Sequence, residues 1–156
     1  MKIELDRIDI ELIRLLRKHA RLSNKDLAEA VGVAPSTALE RVRRLRETGV
    51  IRGFHAEFDP QALGIDLQAM VAVRLARHSR EMVDAFHDHL LGLPEVLSFY
   101  HVAGADDFLV HVAVRDTHHL RGFLLAAFTQ RDEVAHIETH LIFEYRRNPE
   151  TPVYVR

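Results

Sequence analysis

Only Val33 and Ala34 separate Gly32 from Pro35, and that spacing limits the fold more than any other feature of the chain. Glycine readily takes the left-handed conformation that ends a helix. Proline suits a first helical position, where its missing N–H would be unpaired in any case. The sequence therefore predicts one helix stopping and another starting across a tight turn, which is helix-turn-helix spacing. Upstream, Ser23 and Asp26 form a capping box, and Leu27, Ala28 and Val31 form the apolar stripe of a short helix. Before it, Asp6 to Lys18 places Ile8, Leu12, Leu15 and Leu16 at helical spacing, with Asp6 as N-cap and Asp9 in the first turn.

The third helix, Ala34 to Thr48 with Gly49 as its stop, carries the chemistry. At about 100° per residue, Pro35, Ala38, Leu39, Val42 and Leu45 share one arc. Ser36, Thr37, Glu40, Arg43, Arg44 and Glu47 share the other, with Arg41 on the flank. Guanidinium forks match phosphate oxygens and guanine edges, and short hydroxyls bond either. Taken alone, such a face better suits a solvated helix laced with Glu–Arg pairs; the preceding helix and turn favour nucleic acid. The expected contacts are Ser36, Thr37, Glu40 and Arg41 to base edges or nearby phosphates, and Ser23, Lys25, Arg43, Arg44 and Arg52 mainly to phosphate. Val50 to Phe58 is β-prone and reads as a wing or as a strand leaving this unit.

Charge divides the chain in the same place. Residues 1–55 hold 12 Lys and Arg against 8 Asp and Glu, a net +4, while 56–156 hold 9 against 15, a net −6. Only the first part should approach a polyanion. There is no cysteine, which removes disulfides, thiol catalysis and thiolate metal sites. The apolar runs fall short of the ~20 residues that span a bilayer, and the N-terminus lacks a signal-peptide core, so no membrane role and a cytoplasmic location are expected.

Asp59-Pro60 and the succeeding Gln61 to Gly64 break the pattern and read as a linker, 56–66. Beyond the linker come a strand at Leu67 to Leu75, a Ser79-capped helix stopped by Gly92 and Pro94, and strands at Val96 to Ala103 and Asp107 to Val114. A Thr117-capped helix and a strand at Val134 to Phe143 complete the order β-α-β-β-α-β. This is the ferredoxin-like plan, with both helices on one face of a four-stranded antiparallel sheet. The fold class is thus α+β, with a winged helix-turn-helix domain over 1–55 and a ferredoxin-like domain over 67–156. Tyr100 and Val102 alternate with Phe99 and Ala103, and Val110 and Val112 with Leu109 and Ala113, so the second and third strands are apolar on both sides. A sheet with helices on one side only needs a cover for the other, and a homodimer formed sheet against sheet supplies it.

Taken together, the chain resembles the Lrp/AsnC, or feast/famine, family of transcription regulators over roughly Leu5 to Glu144. The resemblance rests on Leu5-Asp6-Arg7-Ile8-Asp9, Ser23 to Ala28, Leu39 to Leu45 with Gly49-Val50-Ile51, and Val102 to Phe108. It implies a sequence-specific regulator of transcription that binds double-stranded DNA and responds to a small-molecule effector, an amino acid. It further implies a C-terminal domain of the RAM/AsnC type, homodimers assembling to an octamer, and effector binding at Gly104, Ala105, Asp106, Asp107 and Thr139. The chain departs from the family pattern at Ala34, often Ser, at Ala103 and Ala105 in a loop that commonly reads Ser/Thr-Gly-Asp, at Glu133, usually Gly, and at Ile137, usually Thr. From turn chemistry alone, Gly104 to Asp107 also reads as an ordinary hairpin turn.

No cofactor, no metal site and no catalytic residues are expected. Of the eleven histidines, His136 and His140 share a strand face with Glu138 but lie about 13 Å apart along it, too far for one ion. The alternative function is an enzyme of the sirohaem-decarboxylase type, which has a similar two-domain plan. Such enzymes carry a Tyr-Asn-Leu-Trp-like strand where this chain has Asp107 to Val110, and this chain has no tryptophan.

Overall fold

The computed structural model describes residues 4–148 and 152–154. It divides into two compact units, one reaching to Glu57 and joined by the segment from Arg146, the other spanning Phe58–Tyr145.

The first unit holds three helices, α1 (Arg7–Lys18), α2 (Asn24–Val31) and α3 (Pro35–Glu47). Their ends are set by side chains close in sequence. Asp6 accepts the Asp9 N–H at 2.9 Å while Asp9 accepts the Asp6 N–H at 3.2 Å, and Ser23 and Asp26 repeat the exchange at α2. Gly32, at φ +71°, turns the chain out of α2. By contrast, Ala34 occupies the N-cap of α3 and offers no side-chain acceptor, leaving Pro35 to start the helix. Leu12, Leu16, Leu27, Ala28 and Ala38 form the core, with Val42 and Ile51 packed against it.

Val50 to Phe58, read from sequence as β-prone, forms no strand. A strand needs a partner for its ladder, and among the described residues this unit supplies none. Leu39 is a second departure: expected on the core arc, it is 51% exposed. The buried arc of α3 is narrower than the wheel suggests.

In the second unit, a single 3-10 turn at Gln61–Leu63 leads into β1 (Leu67–Leu75), α4 (Arg80–Leu91), β2 (Val96–His101), β3 (Phe108–Val114), α5 (Thr117–Leu124) and β4 (Val134–Ile142). All strand pairs are antiparallel, in the order β2-β3-β1-β4. The N-cap of α5 is Asp116, not Thr117; its carboxylate accepts the His119 N–H at 2.7 Å. After Leu124 the helix widens into a π turn, Leu125–Thr129, which brings Ala127 and Phe128 into the core.

Register assigns the two faces. Ala69, Val71 and Val73 pair with Val112, Val110 and Phe108, and all six are fully buried under the helices. The rings of Phe86, Phe108 and Phe128 meet there, Phe86 lying 5.0 Å from Phe108 and 6.3 Å from Phe128. The opposite face carries Tyr100, Leu109, Ala72 and Glu138 in one row, and Ser98, His111, Met70 and His140 in the next. This face is more mixed than alternation predicts: β2 is an edge strand, and His111 interrupts the apolar side of β3.

Candidate DNA interface and effector loop

The recognition-type helix presents Ser36, Leu39, Glu40, Arg43 and Glu47 as one exposed stripe, at the 3- and 4-residue spacing of a helix face. Thr37 is half-buried beside it, and Lys25 and Arg52 are exposed. Arg43 leans on Glu47 at 2.8 Å, with its side chain 76% exposed, so the pair is a weak surface contact that a phosphate can displace. Ser23 forms the capping box with Asp26 that the sequence predicts. Its hydroxyl donates to Asp26 at 2.6 Å and accepts the Asp26 N–H, so it serves the α2 cap. That exchange, the hydroxyl donation first, holds the Asp26 carboxyl below its usual range.

Arg41 departs furthest from the sequence reading. Rather than pointing along the exposed stripe, its guanidinium donates to Asp6 at 2.6 Å and to Asp9 at 2.9 Å. Arg44, half exposed, also donates to Asp9, at 2.5 Å. Asp9 itself is 1% exposed. One buried carboxylate at the start of α1 therefore anchors the flank of α3. A helical wheel places Arg41 between the two arcs and cannot show that an acidic residue 32 positions earlier lies under it. Leu39 is the exposed residue that the wheel misses; it lies about 60° from Val42 and about 60° from Ser36, at the edge of the apolar arc, and that edge position is its signal in the sequence.

In the second unit, Gly104 sits at φ +150°, a conformation that side chains rarely adopt. Ala105 is exposed and Asp106 half-buried. Asp107 has a structural role that the sequence does not reveal. Its N–H donates to the Val73 carbonyl at 2.9 Å, and its carboxylate accepts the Leu75 N–H at 2.7 Å. Its other oxygen lies 3.0 Å from His78 Nδ1. Both oxygens are thus engaged, leaving Asp106 the freer carboxylate of the loop. Thr139 lies half-buried on β4 opposite Val71, on the far side of β1 from the loop. Within one chain the loop and Thr139 are not brought together.

Comparison with known proteins agrees with this architecture. Residues 5–52 match the winged helix-turn-helix DNA-binding family, and residues 68–149 match the Lrp/AsnC ligand binding domain. The chain is 46% identical over 144 residues to the HTH-type transcriptional regulator AldR of Mycolicibacterium smegmatis, covering 92% of this chain and 84% of that protein. It is 35% identical to the leucine-responsive regulatory protein of Rhizobium meliloti, covering 90% of each. Among solved structures, an AsnC family transcriptional regulator from Agrobacterium tumefaciens superposes with a TM-score of 0.86 at 29% identity, covering 95% of this chain and 97% of that one. A transcriptional regulator from Neisseria meningitidis in complex with L-Met gives 0.85 at 26% identity, covering 93% and 94%. These relatives are regulators, so the enzyme alternative falls away. No helix among the described residues is long and apolar enough to cross a membrane. With both halves of the chain matched in order, the protein belongs to the Lrp/AsnC family of DNA-binding transcriptional regulators.

Proposed function

We propose that the chain regulates transcription in the cytoplasm as a homodimer or larger assembly that reads double-stranded DNA with two copies of α3 and responds to an amino acid. The reading rests above all on the exposed stripe Ser36, Leu39, Glu40 and Arg43, free of the core and of the Asp9 anchor. Ser36 and Glu40 face base edges, Leu39 meets a thymine methyl, and Lys25, Arg43, Arg44, Thr37 and Arg52 take phosphates. Arg41 and Ser23 support the geometry instead. A two-fold assembly calls for a roughly palindromic operator with half-sites one turn or a multiple apart.

The open sheet face, with Tyr100, Leu109, Met70 and Ala72 at its centre, is the seam between copies. An amino-acid effector suits the loop because Gly104 lets a ligand approach the backbone and Asp106 accepts an ammonium group; the L-Met bound by the Neisseria meningitidis regulator is consistent with that class. The loop and Thr139 then meet only across a contact between copies.

Fluorescence anisotropy on duplexes selected from the source genome tests the DNA reading. A Lys25→Ala, Arg43→Ala variant should keep its fold and oligomeric mass and flatten the salt slope of log K by about 2. Unchanged affinity and slope would refute the assignment. Thermal-shift screening over the amino acids tests the effector arm, and a hit that survives Gly104→Val and Asp106→Ala would place the effector elsewhere.

A further inference from the structure

A groove of about 490 Å3 lies between the end of α4 and the face of α5, within the size range of small-molecule sites. It sits at the end of β3 opposite the Gly104–Asp107 loop, separated from it by the seven residues of that strand, roughly 20 Å. Its floor is apolar, made by Leu93, Phe123, Ala126 and Ala127, and its rim carries Glu95, Arg115, His118 and His119.

The rim hydrogen bonds show which charges are already satisfied. His119 Nδ1 accepts the Arg115 backbone N–H at 3.3 Å, so Nε2 carries the proton and donates to Glu95 at 3.2 Å. Glu95 is thereby engaged. The Arg115 and His118 side chains are exposed and make no ion pair among the described residues, although the Asp116 cap carboxylate lies near both. The groove therefore offers one guanidinium without an ion-pair partner, Arg115, and the His118 ring nitrogens above an apolar floor, with the Glu95 carboxylate held by His119.

Gly122 forms part of the wall, and its presence needs a reason. Among residues other than proline, glycine is the least favourable in a helix interior, yet Gly122 has ordinary helical geometry and an added Cβ would meet nothing within 4 Å. Neither backbone strain nor packing within the chain demands glycine here. What a larger residue would do is fill the groove.

We propose that this groove binds a small carboxylate with a branched or aromatic apolar body, its anionic head on Arg115 and His118 and its body on Phe123 and Ala126. A guanidinium matches a carboxylate in two parallel hydrogen bonds, and the floor removes the body from water. Isothermal titration of the full chain with phenylacetate, with phenylacetamide as its neutral twin, tests this. The acid should bind saturably with a dissociation constant of about 1 mM or tighter, and the amide roughly tenfold more weakly. Gly122→Leu should abolish binding without lowering the melting temperature or changing the oligomeric mass, and Ala126→Leu is a second plug from the next turn should the first not fold. Arg115→Gln should erase the preference for the acid, whereas Asp106→Ala in the distant loop should leave it intact. The proposal fails if the native chain gives no saturable heat, if acid and amide bind equally, or if the plugged variants still bind. A change of oligomeric mass in the plugged variants would make the groove a seam between copies and overturn it too.

Discussion

Replacing Asp9 by Asn tests whether one buried carboxylate holds the recognition helix in place. The side chain is 1% exposed and accepts from Arg41 at 2.9 Å, from Arg44 at 2.5 Å and from the Asp6 N–H at 3.2 Å. Asparagine keeps the shape but loses the charge, and one of its two positions turns N–H donors toward guanidinium donors. Breaking a buried pair in this way costs about 3–5 kcal/mol. The lower end applies, because Arg41 retains Asp6 at 2.6 Å and Arg44 is half exposed and can turn to water. For a unit of this size, a loss of about 3 kcal/mol lowers its melting temperature by about 12–24 °C. Circular dichroism of the full chain at helix wavelengths should show the helical unit melting earlier while the sheet unit's transition stays in place. A double-mutant cycle with Arg41→Gln should show clear coupling. A loss below about 0.5 kcal/mol, the value of a surface pair, would refute the anchoring role.

Three further outcomes are expected. Ala34→Ser places an acceptor at an N-cap that already has extended geometry, φ −68° and ψ 147°, and should stabilise the helical unit by about 1 kcal/mol, read as a rise in its melting temperature. Asp107→Asn weakens the grip on the Leu75 N–H and the His78 ring, and should raise the hydrogen-exchange rate of the Leu75 amide; unchanged protection would contradict the structural role. His111, lowered from 6.5 by burial on the open sheet face, binds its proton less readily folded than unfolded. Its contribution to stability is therefore present above pH 6.5 and lost as the pH falls through the lowered value, so the sheet unit should weaken on acidification and His111→Gln should flatten that dependence in pH-scanned thermal melts.

The parts of this fold that can be read from sequence are those governed by neighbours in the chain. Asp6, Ser23, Gly32 and Pro35 mark the helix ends because capping acts across three residues. The period-2 run of Leu67, Ala69, Val71, Val73 and Leu75 marks β1 with its bounds intact, Leu67 to Leu75. What escapes depends on residues far apart. Asp9 meets Arg41 across 32 positions and Asp107 meets Leu75 across 32, and no periodicity carries that information. Leu39 is misplaced because hydropathy ranks it as core while α3 buries only a narrow arc through Ala38 and Leu45. The strand expected after Gly49 fails for lack of a partner, which a propensity scale does not register.

Photo-crosslinking from α3 tests the central claim most directly. A benzophenone side chain placed at Leu39, on the exposed stripe, should join covalently to operator duplex on irradiation, while the same group at Met82, on α4 of the sheet unit, should not. Crosslinks from Met82 but none from Leu39, in protein that still binds the duplex, would show that another surface reads the DNA.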